Sequence, residues 1–407
     1  MNRFLFAIDP RDGETIPREQ ELPHLANAIL PQVDEAALFV SVPAGTPIGT
    51  RLHVSFRARV TDSVKYSSVR FCHADGTTID YGLESHTWSR LNFDADVVER
   101  DGIPCIALLV KHAAGKRLDF TCPTFANDPL PTGDLLGGVT LTQIVAARRL
   151  AMGYFLTTPE DHLIVIDGGR NSDTEQVGEL IAAHAWHVDG WYLTHYHGDH
   201  IAPLIGLLKQ DNDLVIDNLV YDFNIAEEIL AEREDTSNPL IAELNELVKH
   251  SGKVKRVTVP HKGDVFTHGN LRIKVLNDAY FGSINNLCND SSVVFKAETP
   301  QENVLFLGDL GSYGAALLED PDFRREIADC MIVQMAHHGQ EGVSQAVYRA
   351  MTKMKICLYS AQAWLFDNDK GEGLGTYILE TMQTREWMRE LDVRRTYTMI
   401  EGRVILR

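Results

Sequence analysis

The chain has 407 residues, too many for one hydrophobic core, so two domains are expected. Its formal net charge of -19 excludes a nucleic-acid polymer as partner, because such binding needs Lys and Arg to neutralise phosphates. A small anionic substrate stays compatible, since bound cations make a site locally positive, and 44% hydrophobic with 23% charged residues indicates a folded chain throughout.

At the start, the apolar run Phe4-Leu5-Phe6-Ala7-Ile8 is cut by Asp9 before a signal-peptide core forms. No apolar run approaches the roughly 20 residues that cross a bilayer, so no membrane association and a cytoplasmic location are expected. Six cysteines (Cys72, Cys105, Cys122, Cys288, Cys330, Cys357) contain no C-x-x-C pair and read as reduced core thiols. From Ala37 to Phe125, short β-type runs alternate with turns. The runs are Ala37 to Val42, Leu52 to Val60, Val69 to Phe71 and Ile106 to Val110; the turns include Asp75-Gly76 and Asp101-Gly102. Alternation at Val54, Phe56, Ala58 and Val60 puts one face inward, which predicts an all-β, jelly-roll-like sandwich over residues 1–132.

After Pro129-Leu130-Pro131-Thr132-Gly133 strands alternate with helices, so a second domain is expected over 133–407. Leu163 to Ile166 is a buried-strand run ending at Asp167-Gly168-Gly169. Ser172 and Glu175 predict a capping box opening a helix with Val177, Leu180 and Ile181 inward. Gly190 to Thr194 leads into a histidine cluster, and the following helix carries Ile201, Leu204, Ile205 and Leu208, with Pro203 expected in its first turn. Residues 225–250 read as a helical hairpin, with Ile229 and Leu230 in one half and Leu240, Ile241, Leu244 and Leu247 in the other. A long helix is expected through Leu379, Trp387 and Leu391, and a closing sheet edge from Arg395–Thr398 together with Val404-Ile405-Leu406.

The chemistry concentrates in Thr194-His195-Tyr196-His197-Gly198-Asp199-His200. Three imidazoles and a carboxylate within six residues are ligand types that suit zinc or a neighbouring transition metal. His195 and His197, two apart in an extended segment, project to one side; Asp199 and His200 fall where the chain turns into a helix and suit a second metal. Two further strands end in candidate ligands: Asn303 to Gly308 ends in Asp309, and Met331 to Ala336 ends in His337-His338-Gly339. Alone, Asp309 reads equally well as a turn residue. The ordered set carries the signal.

That set resembles the ordered motifs of the metallo-β-lactamase superfamily over roughly residues 138 to 407. Asn289-Asp290-Ser291-Ser292-Val293-Val294 and the final His-His-Gly look most like the branch holding the hydrolase-like domain of competence proteins and the phosphorylcholine esterases. The resemblance implies an α+β fold, an αββα sandwich behind the β-sandwich. It also implies two divalent cations, zinc first with manganese or iron as alternatives. His195 and His197 would hold one, and Asp199 and His200 the other; Asp309 would bridge, and His337 or His338 would complete the second. Asp167 would hold the ligand loop through hydrogen bonds, with Asn289 and Asp290 behind the ligands. The pattern departs in one place. Many relatives carry a third histidine for the first metal where this chain has Asn289-Asp290, leaving completion by a carboxylate, by water, or not at all.

The implied activity is hydrolysis by a metal-activated bridging hydroxide, with Asp199, His337 and His338 in the catalytic set and a phosphodiester or other phosphoester as substrate. A thioesterase or lactonase of the same fold, and a non-catalytic binding or sensor protein with a structural metal, are the competing readings. Tyr196, Trp364 and Asp367 are candidate substrate contacts. Tyr66, Tyr81 and Trp88 offer a glycan surface on the N-terminal domain, which also offers a route to a homo-oligomer.

Overall fold

The computed structural model describes residues 35–407 except 44, 61–68, 81, 84–87, 112–115, 122, 147–148, 226–237, 284–285 and 401, together with three backbone strands among the first 34. Tyr66, Tyr81, Cys122 and the first half of the 225–250 hairpin lie outside the described residues. The chain divides into two compact units. The first is Met1–Pro131 with Asp367–Ile378 and Arg385–Thr396; the second is Thr132–Phe366, Leu379–Thr384 and Tyr397–Arg407. Two C-terminal stretches that the sequence reading gave to the second domain thus group with the first.

Among the described residues the first unit is all-β apart from its C-terminal segments, and its paired strands run antiparallel in two sheets. One is centred on Glu35–Ser41 and Ile103–Lys111, the other on Arg51–Val60 with Ser89–Asp96 and Arg117–Thr121 beside it. The predicted alternation explains the packing: Val54, Phe56, Ala58 and Val60 are buried while Ser55, Arg57 and Arg59 are partly exposed. Phe56 meets Phe71, Phe93 and Phe120 edge-on at 5.9 to 6.3 Å between ring centroids, so both sheets share one core. Asp101 and Gly102, at φ 51° and 80°, make the tight turn between Val98–Arg100 and Ile103–Lys111, where two successive left-handed residues match the twist of the hairpin. Three strands, Leu5–Pro10, Ile16–Glu19 and Leu25–Ile29, were not legible in the sequence.

The second unit contains two seven-stranded sheets. One runs in the order Val257–Thr258, Leu219–Val220, Gly190–Tyr192, Leu163–Asp167, Gly153–Thr157, Thr140–Gln143, Val404–Leu406. The other runs Val265–His268, Leu271–Val275, Phe295–Glu298, Asn303–Phe306, Cys330–Gln334, Ile356–Leu358, Arg395–Tyr397, the last strand entering this unit only at Tyr397, whose carbonyl accepts from Tyr359 N at 2.8 Å. The expected closing edge is therefore corrected: Val404–Leu406 and Arg395–Tyr397 edge two different sheets. Tyr154 against Phe306 (5.1 Å) and Tyr192 against Phe295 (5.5 Å) join the inner faces. The outer face of the first sheet, through Phe155, Leu163, Val165 and Trp191, packs on the helices Thr174–Ala182, Gly198–Lys209 and Asn238–His250. Strands covered on both sides read as continuous apolar runs, which is why Leu163–Asp167 is buried at every position.

Local details correct the sequence reading. The first of these helices is opened by a 3-10 turn, Asn171–Asp173, in which the Asp173 carboxylate accepts the Arg170 backbone N–H at 2.9 Å; Ser172 and Glu175 form no capping box. Pro203 sits inside the Gly198–Lys209 helix, beyond its first turn. Proline has no N–H for the Asp199 carbonyl four residues back, and that carbonyl accepts instead from Met152 N at 3.0 Å. The C-terminal helix covers Thr381–Glu390, starting after Leu379. Among the described residues no helix is long and apolar enough to cross a membrane.

Candidate metal centre

Asp167 ends a central strand at φ 56°, a left-handed conformation costly for a residue with a Cβ. Its carboxylate holds it there. One oxygen accepts from Thr194 N at 2.8 Å, and the other accepts from Thr194 Oγ1 and His200 Nδ1, both at 2.8 Å. The single Thr194 hydroxyl proton goes to Asp167, so Thr194 Oγ1 accepts from His195 Nδ1 at 3.1 Å. On the opposite strand end, His338 Nδ1 donates to the Ser360 carbonyl at 3.0 Å. All three imidazoles thereby have Nδ1 occupied by a structural bond and turn Nε2 inward, the arrangement that prepares a histidine to ligate.

Those nitrogens converge on Asp309. Its Oδ2 lies 3.7 Å from His195 Nε2, 3.2 Å from His200 Nε2, 3.7 Å from His338 Nε2 and 3.9 Å from His337 Nε2. Asp199 Oδ2 is 3.6 Å from His338 Nε2 and accepts from Arg170 Nη2 at 3.1 Å. His195 Nε2 and His197 Nδ1 face one another at 3.1 Å. Potential ligand atoms fall into close groups: His195 with His200 and Asp309, Asp199 with His200 and His338, and His195 with His197 and Cys288, each within 4.8 Å. Buried His200 Nε2, His338 Nε2 and Asp309 Oδ1 make no hydrogen bond. Orphaned buried polar atoms are costly, and their clustering among nitrogen and carboxylate donors fits bound cations.

The charges agree. Burial alone would lower His200 and His338, but Asp309 with Asp167 beside one, and Asp309 with Asp199 beside the other, raise both above the usual histidine value. Burial would likewise raise Asp309 and Asp199, yet the adjacent His200 and His338 hold both carboxylates below their ordinary range. Without metal, protons on imidazoles supply the positive charge the carboxylates require; cations would displace them.

The loop carrying Asp309 is set by a residue the sequence reading missed. The Gln334 side-chain oxygen accepts from Leu307 N (2.7 Å) and Gly308 N (2.8 Å), and its amide donates to Gly308 O at 3.0 Å. Arg170 and Cys288 were missed as well, Arg170 because a lone arginine carries no spacing signal and Cys288 because it read as a core thiol. His337 and His338 both reach Asp309 because both are left-handed, at φ 50° and 59°, followed by Gly339 at 83°. His337 is the outer one, taking a hydrogen bond from Asn289 Nδ2 at 3.3 Å while its Nδ1 bonds the Glu341 carbonyl. Asp290 is committed elsewhere: it accepts from Ser283 Oγ at 2.7 Å, Tyr313 N at 3.0 Å and Ser312 Oγ at 3.3 Å, tying the 311–313 loop to the short helix Leu287–Asp290.

The substrate-contact candidates have partners of their own. Tyr196 is 1% exposed and packs on Phe223 within the helix-side core, which corrects its expected substrate role. Trp364 donates to Gln362 Oε1 at 3.1 Å, and Asp367 groups with the first unit, where it faces Arg385. In that unit Trp88 is covered by the Arg59 guanidinium, 4.6 Å from its ring centroid.

Residues 151–278 match the model of the metallo-beta-lactamase superfamily. The fold is the metallo-β-lactamase fold, and members of the superfamily are mostly metal-dependent hydrolases. The chain is similar in structure to the metallo-beta-lactamase fold protein YhfI from Bacillus subtilis, with 11% identity, a TM-score of 0.40, and coverage of 66% of this chain and 99% of that one. It is similar to unliganded yeast PDE1 at 10% identity and a TM-score of 0.43, covering 66% and 99% of the two chains. A third similar structure is a long form RNase Z from yeast, at 11% identity and a TM-score of 0.35, covering 54% and 36%. No curated protein matches the sequence.

Proposed function

We propose that the chain is a binuclear metal-dependent hydrolase of phosphoesters, phosphodiesters first. The observation that carries this is the convergence of His195, His200 and His338 Nε2 on Asp309, with buried polar atoms left unbonded there. His195 and His197 would hold one cation, Asp199, His200 and His338 the other, and Asp309 would lie between them. Zinc suits these nitrogen and carboxylate donors. When bound, the cations would polarise the scissile bond and bring the pKa of a coordinated water toward neutrality.

The chain's own groups do the rest. Asp167 and the Ser360 carbonyl fix the imidazole tautomers, and Arg170 holds the Asp199 carboxylate in place. His338, aimed into the cluster, is a ligand, so the proton-handling role falls to its neighbour. Burial lowers His337, keeping its ring neutral near pH 7, and its Nε2 beside Asp309 is placed to accept or relay a proton. The preference for a phosphoester over a carbonyl substrate rests on the resemblance of Asn289-Asp290-Ser291-Ser292-Val293-Val294 and His337-His338-Gly339 to the phosphorylcholine esterase branch.

The test is turnover of bis-p-nitrophenyl phosphate against panels of thioesters and lactones. Phosphodiester turnover that falls at least about a hundredfold in Asp309→Asn is expected. Turnover confined to carbonyl substrates would make the chain a thioesterase or lactonase, and metal binding without turnover of either class would make it a binding protein.

A further inference from the structure

The short helix Leu287–Asp290 carries Cys288, Asn289 and Asp290 beside the histidine-rich loop. Asp290 is committed to Ser283, Ser312 and Tyr313, and the Asn289 amide faces His337. Cys288 lies with its sulfur within 4.8 Å of the ligand nitrogens of His195 and His197. His195 is fully buried, Cys288 is 2% exposed, and His195 Nε2 and His197 Nδ1 face one another at 3.1 Å. Three soft or borderline donors therefore lie close together, with the Asp309 carboxylate 3.7 Å from His195 Nε2 on the side of the second site. The Cys288 carbonyl accepts from Ser291 Oγ at 2.7 Å and Ser291 N at 3.2 Å, which fixes the helical turn that directs the side chain.

We infer that the Cys288 thiolate is the third protein ligand of the first metal, giving a His195–His197–Cys288 site beside the Asp199–His200–His338 site. The inference rests on the proposed metal centre and adds its metal preference. Binding replaces the thiol proton with the metal and releases that proton to solvent. A thiolate favours zinc, iron or cobalt and disfavours manganese and magnesium, whose affinities lean on oxygen donors. The competing assignment is an inert core thiol, since Cys288 also borders the apolar cluster around Tyr196 and Phe223.

The test uses the metal-free full chain titrated with cobalt(II). The wild type is expected to develop a sulfur-to-cobalt charge-transfer absorption that saturates at one of two bound equivalents. Cys288→Ser should lose that absorption and weaken one equivalent at least about tenfold while keeping the other. Should the variant fail to fold, X-ray absorption on zinc-loaded wild type decides the matter, with a sulfur neighbour at about 2.3 Å expected. Cobalt bound with no sulfur signature, or an absorption that survives in Cys288→Ser, overturns the cysteine assignment alone. A chain that binds no cobalt overturns the metal centre and this site with it.

Discussion

Asp167 accepts three hydrogen bonds while adopting a backbone conformation that costs about 1 to 3 kcal/mol, so its carboxylate both fixes the ligand loop and sets the His200 tautomer. An asparagine there would keep one acceptor but point an amide N–H at donors. Asp167→Asn is expected to reduce metal affinity by about 10- to 100-fold with the fold intact, read by metal titration and circular dichroism. Unchanged affinity would show that the tautomer is set elsewhere. At this scale the histidine-rich loop was legible because its donors lie within six residues. Gln334, Arg170 and Cys288 were not, because each acts through a partner far away in sequence: Gly308, Asp199 and His195.

The strand-to-loop junctions govern the elements. Gly339, at φ 83°, presses so closely on the Tyr359 ring that a Cβ would stand 2.2 Å from it. Gly339→Ala is expected to destabilise the chain by at least about 2 kcal/mol and to displace His338, measured as a fall in Tm together with weaker metal binding. On the second sheet, Lys296, 3% exposed, pairs with Glu326 at 3.0 Å, and Glu326 also meets Lys274 at 2.7 Å. Burial would raise Glu326, but the two lysines hold it below the usual glutamate value of 4.5. Its contribution to stability is therefore complete above pH 4.5 and is lost as pH falls through the lowered value. Glu326→Gln should cost about 2 kcal/mol at pH 7, less than full stranding of a buried ion because Glu298 and Asp329 stand 3.8 Å from Lys296. That cost should shrink as pH falls below 4.5 in denaturant titrations, and a cost independent of pH would contradict the pairing. Element types were readable from periodicity. Helix starts were not, since the Asp173 turn replaces the expected Ser172 cap and Pro203 survives in mid-helix only because Met152 supplies the missing donor.

For the molecule as a whole, the sequence texture changes near residue 132, and the first unit's N-terminal portion ends at Pro131. The return of 367–378 and 385–396 to that unit depends on long-range pairs such as Arg389 with Asp80, at 2.8 Å, and Arg394 with Asp128, at 3.1 Å. No local pattern announces such pairs. In a chain of net charge -19, a buried group of carboxylates and uncommitted imidazole nitrogens needs positive charge, and cation binding would stabilise the second unit by mass action. The most direct measurement is the metal content of the purified chain after equilibration with zinc, by mass spectrometry, for the wild type and Asp309→Ala. Two equivalents per wild-type chain, with both lost or greatly weakened in the variant, are predicted. A wild type that retains no metal, or a variant that keeps both ions, would contradict the account.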